Sequence, residues 1–437
     1  MVPVTAPVPG DVLELAVGEA VHGGWCVARG DQTGGQVVFV RHALPGERVR
    51  AVITQATARL ARADAVQILQ PSADRVQPPC PHARPGGCGG CDWQHASLPA
   101  QRALKAAVIS QQLARIGGID REVSVQPLPG DDGGLRWRTR VTFAVGPDGT
   151  AGLRRHRSHE VLDVGECPIA HPLVTATGVT GATWPAVSSV QVFTSPETCQ
   201  RAVTAAQAGR TGPKEQLPEV AAEHVQLLGR SGARIPVRGS GHITRQAAGR
   251  SWRVSLGGFW QVHPGAADVL ASAVLDALAP QPGDRALDLY SGAGLFAGVL
   301  AEAVGPGGSV TAIEGDRAAV RDARHNLRDW PWARVRSGDV GELLGRDGTG
   351  GATLAVLDPP RAGVARQVID ALCAAAELTA IAYVSCDPAT LARDLALLLA
   401  GGWVLDDLRG YDAFPMTHHV ECLAALTRRR AADQDPG

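Results

Sequence analysis

Short apolar runs separated by glycine-bearing turns open the chain. From Asp11 to about Gln70 the runs VLELAVGEAVHGGWCVARG and QVVFVRHALPGERVRAVITQ alternate apolar with polar positions, the period of half-buried strands, and predict a small all-β barrel. Pro71 to Asp92 is rich in Pro, Gly and Cys and predicts irregular backbone. One helix is then predicted: Ser97 is its N-cap, Pro99 lies in the first turn, and Gly117 is the stop. Leu104, Ala107, Val108, Leu113 and Ile116 fall on its apolar period. From about Val123 to Val262 strand-like runs such as TRVTFAV and HEVLDVGECPI alternate with turns, which predicts a mixed, mostly β central domain.

After His263 the period changes. Helix-like and strand-like runs alternate: HPGAADVLASAVLDALA, RALDLY, GLFAGVLAEAV, SVTAIEG, RAAVRDARHNLRD, ARVRSGD, TLAVLDPP, ARQVIDALCAAA, AIAYVSC and ATLARDLALLLA. This order predicts a doubly wound parallel sheet of Rossmann type, with ligands at the carboxyl ends of its strands. The fold class expected is multidomain α/β, divided at residues 1–72, 73–262 and 263–437, with the helix at 97–116 placed to pack on the last part. The tail RRRAADQDPG is expected to fray.

Composition changes this picture little. Of 437 residues 45% are apolar and 19% charged, which excludes a disordered chain. Lys+Arg is 42 against Asp+Glu 43, so nucleic-acid contact has to come from local patches. No run approaches a membrane span and MVPVTAPVPGDV does not read as a signal peptide, so a cytoplasmic protein is expected. Nine cysteines, unevenly spaced, point to metal binding or catalysis rather than a disulfide framework.

Candidate chemistry begins at DLYSGAGLF, residues 288–296, where Gly292 and Gly294 let a strand turn into a helix against a ligand. With Ala297 this completes G-x-G-x-x-A, which keeps an NAD-dependent oxidoreductase in play. Glu314, ending the next strand, is placed for two ribose hydroxyls, and Asp339, ending the third, for an adenine amino group. The fourth strand ends in Asp358-Pro359-Pro360-Arg361. This D-P-P resembles the catalytic-loop signature of class I S-adenosylmethionine-dependent methyltransferases that act on a base or amide nitrogen or a pyrimidine carbon, and a dehydrogenase has no use for it. The fifth ends at Cys386, just before a helix whose dipole is expected to favour a thiolate. Downstream, Pro415, Thr417, His419 and Glu421 form P-x-T-x-H-x-E.

These segments carry two resemblances. GEAVHGGWCVAR, the strand Val37–Val40 and LPGERV, residues 44–49, resemble the TRAM domain, an RNA-binding, OB-like barrel. VLDPPRAG, VSCDPATLARDL, FPMTHHVE and FWQVH resemble the RNA 5-methyluridine methyltransferases, and the likeness runs through nearly the whole chain. The resemblance implies S-adenosylmethionine as cofactor, Cys386 as nucleophile toward uracil C6 and Glu421 as the base. It also implies that Asp358 and Gln261 hold uracil and cofactor, and that Tyr290, Glu314 and Asp339 bind cofactor. His263, Ser291 and Leu295 depart from the family pattern.

Cys80, Cys88 and Cys91 stand as C-x7-C-x2-C, with Cys167 far downstream. Four thiolates can hold zinc or a [4Fe–4S] cluster, and spacing does not decide between them. The family resemblance favours the cluster, as a structural staple, and His82 and His95 keep zinc as the runner-up. Cys26 and Cys199 are expected to be inert, and Cys373 and Cys422 to be small buried groups.

Arg136, Trp137, Arg138 and Arg140, then Arg154, Arg155, His156 and Arg157, form basic runs with an aromatic among them, fit for phosphate and base contact. The expected partner is RNA, ribosomal in preference to transfer, with no obligate protein partner and the protein itself a monomer. A catalytically idle RNA-binding protein is the competing function, opposed by the intact Cys386 and Glu421.

Overall fold

The computed structural model of the chain describes residues 6–29, 33, 35–209 and 217–428; of the tail RRRAADQDPG, expected to fray, Arg428 ends the last strand and 429–437 lie outside the described residues. Strands Val12–Val21, Trp25–Arg29, Val37–Arg41, Arg48–Ala56 and Leu60–Gln70 close into a barrel. Leu15, Val17, Val38, Val40, Val49, Ala51, Ile53, Ala61 and Ala63 fill it from alternate positions, as the two-residue period requires. Glu47, buried at its base, takes both Nε and Nη2 of Arg75 at 2.6 and 2.8 Å.

The predicted helix forms at Leu98–Gln112, capped by Ser97 Oγ accepting from Ala100 N. It runs on through a π turn, Leu113–Gly117, and stops at Gly118 rather than Gly117. The stop needs a left-handed residue, and Gly118 has φ 63. Gly117 answers a different constraint: a Cβ there would stand 2.9 Å from Ala392 O, so the glycine lets this turn press on the helix Pro388–Ala400.

The central sheet has seven strands, with Val187–Ser195 between Arg140–Val145 and Gln200–Gln207 at its middle. The hairpin His242–Ala247/Arg250–Ser255 lies apart from it and sends Trp252 and Val254 into the core of the last part of the chain. Trp252 fits there because Gly298 has no Cβ, which would come within 2.3 Å of the indole.

The third sheet runs Ala333–Ser337, Ser309–Glu314, Arg285–Leu289, Leu354–Leu357, Ala380–Ser385, Glu421–Arg428, Trp403–Asp412 and Ser124–Pro127. The first five are mutually parallel, and Glu421–Arg428 is antiparallel to its neighbours. Its edge is Ser124–Pro127, from the stretch read as central domain, paired parallel to Trp403–Asp412. Two elements went unread in the sequence. The strand Trp403–Asp412 carries three acids and an arginine, and the helix Val340–Asp347 is short and holds two glycines.

Candidate active site

Strand register brings the catalytic candidates together. Because Ser385 pairs with Cys422 across antiparallel strands, the next residues outward, Cys386 and Glu421, meet at the carboxyl end of the parallel sheet. Leu357 pairs with both Leu289 and Tyr383, which sets Asp358 at the same level. A cavity of about 590 Å³ opens there. Gln261, Tyr290, Gly292, Glu314, Asp339, Asp358, Cys386 and Glu421 all line it. Gly294 does not; it caps the helix Leu295–Val304 from a left-handed conformation, φ 90.

At one end the wall is built for a nucleoside. Tyr290 is left-handed, φ 65, an unusual state for a bulky residue, and Gly292 follows at φ 55. Glu314 accepts from Gly292 N at 2.8 Å and Asp316 N at 2.6 Å, so its carboxylate is fixed at the cavity edge. Asp339 caps the unread helix by accepting from Glu342 N at 2.9 Å. Behind this wall, and missed in the sequence, lies Asp288: fully buried, it accepts from Ala297 N at 2.7 Å through Oδ2 while Oδ1 has no partner, and burial pushes it up to about 8. Ser291 Oγ is buried without a partner too. The unpartnered Ser291 hydroxyl beside a glycine turn fits a ligand with amino and hydroxyl groups, as S-adenosylmethionine has.

At the other end the groups are reactive. Burial, then the charge of Asp358, raises Glu421 well above the carboxylate range against the opposing charge of Arg361. Burial pushes Asp358 up to about 7. Cys386 is pushed up to about 12, by burial first and then by Glu421. The expected dipole-favoured thiolate is therefore corrected. The first amides of the following helix, Ala389 N and Thr390 N, donate to Asp387 at 2.9 and 3.0 Å, so Asp387 takes the helix terminus that was assigned to the thiol.

Of the three family departures, His263 lies outside the cavity wall, stacked on Trp137 at 6.0 Å with Nδ1 accepting from Gly265 N. Leu295 and Ser291 do line it. Arg361, His419, Phe259 and Phe414 also line it and had not been singled out as site residues.

Cys80, Cys88, Cys91 and Cys167 line a second cavity, with His82. Among the described residues no three His, Cys, Asp or Glu side chains converge as they would on a single metal ion. His95 turns away to the barrel, Nε2 3.4 Å from Ala43 O and its ring 6.2 Å from that of His42. The first basic run is also corrected: Trp137 is 2% exposed and packs against Ile169 and Met416, and Arg140, half-buried, lies over the Phe193 ring at 3.9 Å. No helix among the described residues is long and apolar enough to cross a membrane.

The fold and this cavity define a class I S-adenosylmethionine-dependent methyltransferase. The tRNA (Uracil-5-)-methyltransferase family matches residues 352–429 and the TRAM domain residues 8–66. An RNA methyltransferase of Streptomyces avermitilis is 47% identical over 95% of this chain and 98% of its own length. The 23S rRNA (uracil(1939)-C(5))-methyltransferase RlmD of Alkalilimnicola ehrlichii is 32% identical over 96% and 97%. The Pyrococcus abyssi tRNA (uracil-54, C5)-methyltransferase shares the fold, with a TM-score of 0.72 at 22% identity over 94% of this chain and 99% of that one. The chain belongs to the RNA (uracil-5)-methyltransferase family, which sets the oxidoreductase reading aside.

Proposed function

We propose that this protein methylates C5 of a uridine in RNA, ribosomal in preference to transfer, through a covalent adduct between Cys386 and uracil C6. The observation that carries the reading is the register that sets Cys386 opposite Glu421 in the cavity whose far end holds Glu314. The preference for ribosomal RNA follows the 23S rRNA (uracil-C5) activity of the RlmD relatives. A reducing, RNA-containing compartment, the cytoplasm, suits both the substrate and the free thiol.

S-adenosylmethionine, when bound, supplies an electrophilic methyl group, which uracil C5 is too weak a nucleophile to take unaided. Cys386 answers this by adding to C6, which makes C5 enolate-like. Burial keeps the thiol protonated, so as the S–C6 bond forms the Sγ proton passes to water in the open cavity and the C5=C6 pair moves onto C5 and the C4 oxygen. Asp358, at the same sheet edge, is placed to hold the pyrimidine edge as charge develops. After methyl transfer C5 still carries its proton. Glu421, made a stronger base by burial, removes it and lets the Cys386 sulfur leave.

The reading includes a [4Fe–4S] cluster on Cys80, Cys88, Cys91 and Cys167. Cys80, Cys88, Cys91 and Cys167 line one cavity, and their four thiols are the residues that would hold it, with tetrahedral zinc as the runner-up. Gly90 N, donating to Cys88 Sγ at 3.4 Å, is a bond that stabilises a thiolate. The cluster's role would be to staple an irregular segment.

The test is mass spectrometry of 5-methyluridine in ribosomal and transfer RNA from cells with and without the gene. Loss from ribosomal RNA alone is expected; an unchanged level in both overturns the reading.

A further inference from the structure

The barrel's first hairpin leans on the catalytic part of the molecule. Gly24, at its turn with φ 79, has Asp92 so close that a Cβ would lie 2.8 Å from Asp92 Cβ. On one side of the turn His22 Nε2 reaches Asp387 Oδ2 at 3.4 Å, next to Cys386. On the other side stands Trp25, part exposed.

Three guanidinium groups from separate segments surround the Trp25 ring. Arg41 and Arg62 from the barrel lie 5.9 and 5.6 Å from its centroid, and Arg157 from the central region lies 5.4 Å away. His156 meets the ring edge-on at 6.5 Å. The side chain of Arg41 is only 4% exposed, yet its Nη2 makes no hydrogen bond. The nearest carboxylate oxygen, Asp92 Oδ1, is 3.7 Å off, and Asp92 is already held by His418. Burial, then the charges of Arg62 and Arg41, depresses Arg157, so the guanidiniums repel one another. Among the described residues Asp64 is a further carboxylate facing Arg41 and Arg157, and it is itself raised by burial. A buried guanidinium with unmade bonds beside two like charges is a costly arrangement in isolation, and an anion relieves it.

We propose that Trp25 with Arg41, Arg62 and Arg157 forms a subsite for one unpaired nucleotide flanking the target uridine, its base stacked on the indole and its phosphate held by the guanidiniums. This deepens the RNA-methyltransferase reading and rests on it. An aromatic face ringed by arginines offers what a nucleotide needs, a π surface and fixed positive charge. The path is short: Trp25 lies three residues from His22, which touches the residue after Cys386, so a strand delivering an extruded uridine to Cys386 crosses this hairpin. The aromatic missing from the second basic run, Arg154 to Arg157, is thus supplied by the barrel.

The test uses the full chain and fluorescent single-stranded RNA oligonucleotides, with anisotropy measured across a salt series. Trp25→Leu, which keeps apolar bulk without a π face, should lose about 10-fold or more in affinity, and Trp25→Phe should stay within a few-fold of wild type. Arg62→Gln should lower the slope of log affinity against log salt by about 0.7. Calorimetry with S-adenosylhomocysteine should show no change in any variant. Wild-type RNA affinity in Trp25→Leu, with or without a lowered melting temperature, would reduce the ring to packing between barrel and central region and overturn the subsite. Competition by poly-glutamate as strong as by RNA would overturn it as well. Trp25-dependent RNA binding without any 5-methyluridine product would leave the subsite standing and sink the uridine reading instead.

Discussion

Asp92 Oδ2 lies 2.6 Å from His418 Nδ1, and the same carboxylate accepts from His418 N at 3.3 Å. Asp92 directly follows Cys91, and His418 stands three residues before Glu421. The segment between Asp412 and Glu421 is held at further points by the same distant part of the chain. Asp92 N and Trp93 N both donate to Met416 O at 3.1 Å, and Gln101 Oε1 accepts from Met416 N at 2.8 Å. Lys105 Nζ, fully buried, meets Asp412 Oδ1 at 2.5 Å and Phe414 O at 3.0 Å. The cysteine-rich segment and the first helix thus form the mould of the loop that delivers Glu421.

Asp92→Ala should therefore slow covalent capture of 5-fluorouridine RNA by about 10-fold while leaving S-adenosylhomocysteine affinity unchanged, since the lost bonds place the loop and not the cofactor wall. Asp92→Asn keeps an acceptor for His418 and should recover most of the rate. Equal rates in Asp92→Ala and wild type would show that the loop holds its position without this bond.

The same contacts revise what the cysteines are for. From sequence the cluster was expected as a structural staple. With Cys91 adjoining Asp92, loss of the metal group should also slow adduct formation. Protein purified without oxygen should contain iron and sulfide and absorb broadly in the visible, and Cys88→Ser should lose both along with adduct rate. Stoichiometric zinc without iron would replace the cluster by the tetrahedral alternative.

What the sequence made legible is what local periodicity and turn chemistry encode. The barrel, the helix after Ser97 and the alternation after His263 each repeat a period within a few residues. Glu314, Asp358 and Cys386 each end a strand, a position that can be read once the strand is recognised. The mould of the Glu421 loop had no such signal. Gln101 and Lys105 lie more than 300 residues from Met416 and Asp412, and a buried lysine on a helix looks in sequence like a solvated one. Trp137 failed in the opposite sense: basic neighbours made it look exposed, while its ring packs against Ile169 and Met416, distant in sequence. The Cys386 thiolate failed because the dipole argument ignored the next residue, an aspartate that caps the helix itself.

Glu314→Ala should weaken S-adenosylhomocysteine binding by about 10- to 100-fold, the loss of one or two charge-assisted hydrogen bonds to ribose hydroxyls. RNA affinity should not change, because Glu314 lies at the far end of the cavity from Cys386 and Glu421. Calorimetry on the purified variant decides it, and unchanged affinity would remove Glu314 from the cofactor wall.

Asp288 gives a pH dependence with a definite sign. Burial raises its pKa to about 8, far above an unfolded aspartate, so the folded chain keeps a proton that the unfolded chain gives up. The stability from this group is full below the unfolded value near about 4 and is lost as pH rises through about 8. Asp288→Asn keeps an oxygen for Ala297 N and cannot ionise. Its melting temperature should exceed that of wild type near about pH 8 and converge with it near about pH 4, a difference on the order of a few kcal/mol at the upper end. Parallel melting curves at every pH would mean that Asp288 is ionised in the folded protein.

The division of work between Cys386 and Glu421 predicts opposite behaviour for their variants. Cys386→Ala removes the atom that bonds C6, so both methylation and any denaturant-resistant protein–RNA adduct should vanish. Glu421→Gln leaves the thiol and its access to C6 intact but cannot take the C5 proton. Addition and methyl transfer should proceed, elimination should slow by about 10²- to 10⁴-fold, and the adduct should accumulate on a denaturing gel. RNA carrying 5-fluorouridine should trap the wild-type chain in the same way, because fluorine cannot leave as a proton does. The gel separates these roles from a purely structural pair, which would give no adduct in any lane. An adduct that persists in Cys386→Ala would move the nucleophile to another residue. One that fails to build up in Glu421→Gln, with methylation lost, would place Glu421 before methyl transfer, as the acceptor of the Cys386 thiol proton that its raised pKa also equips it to be.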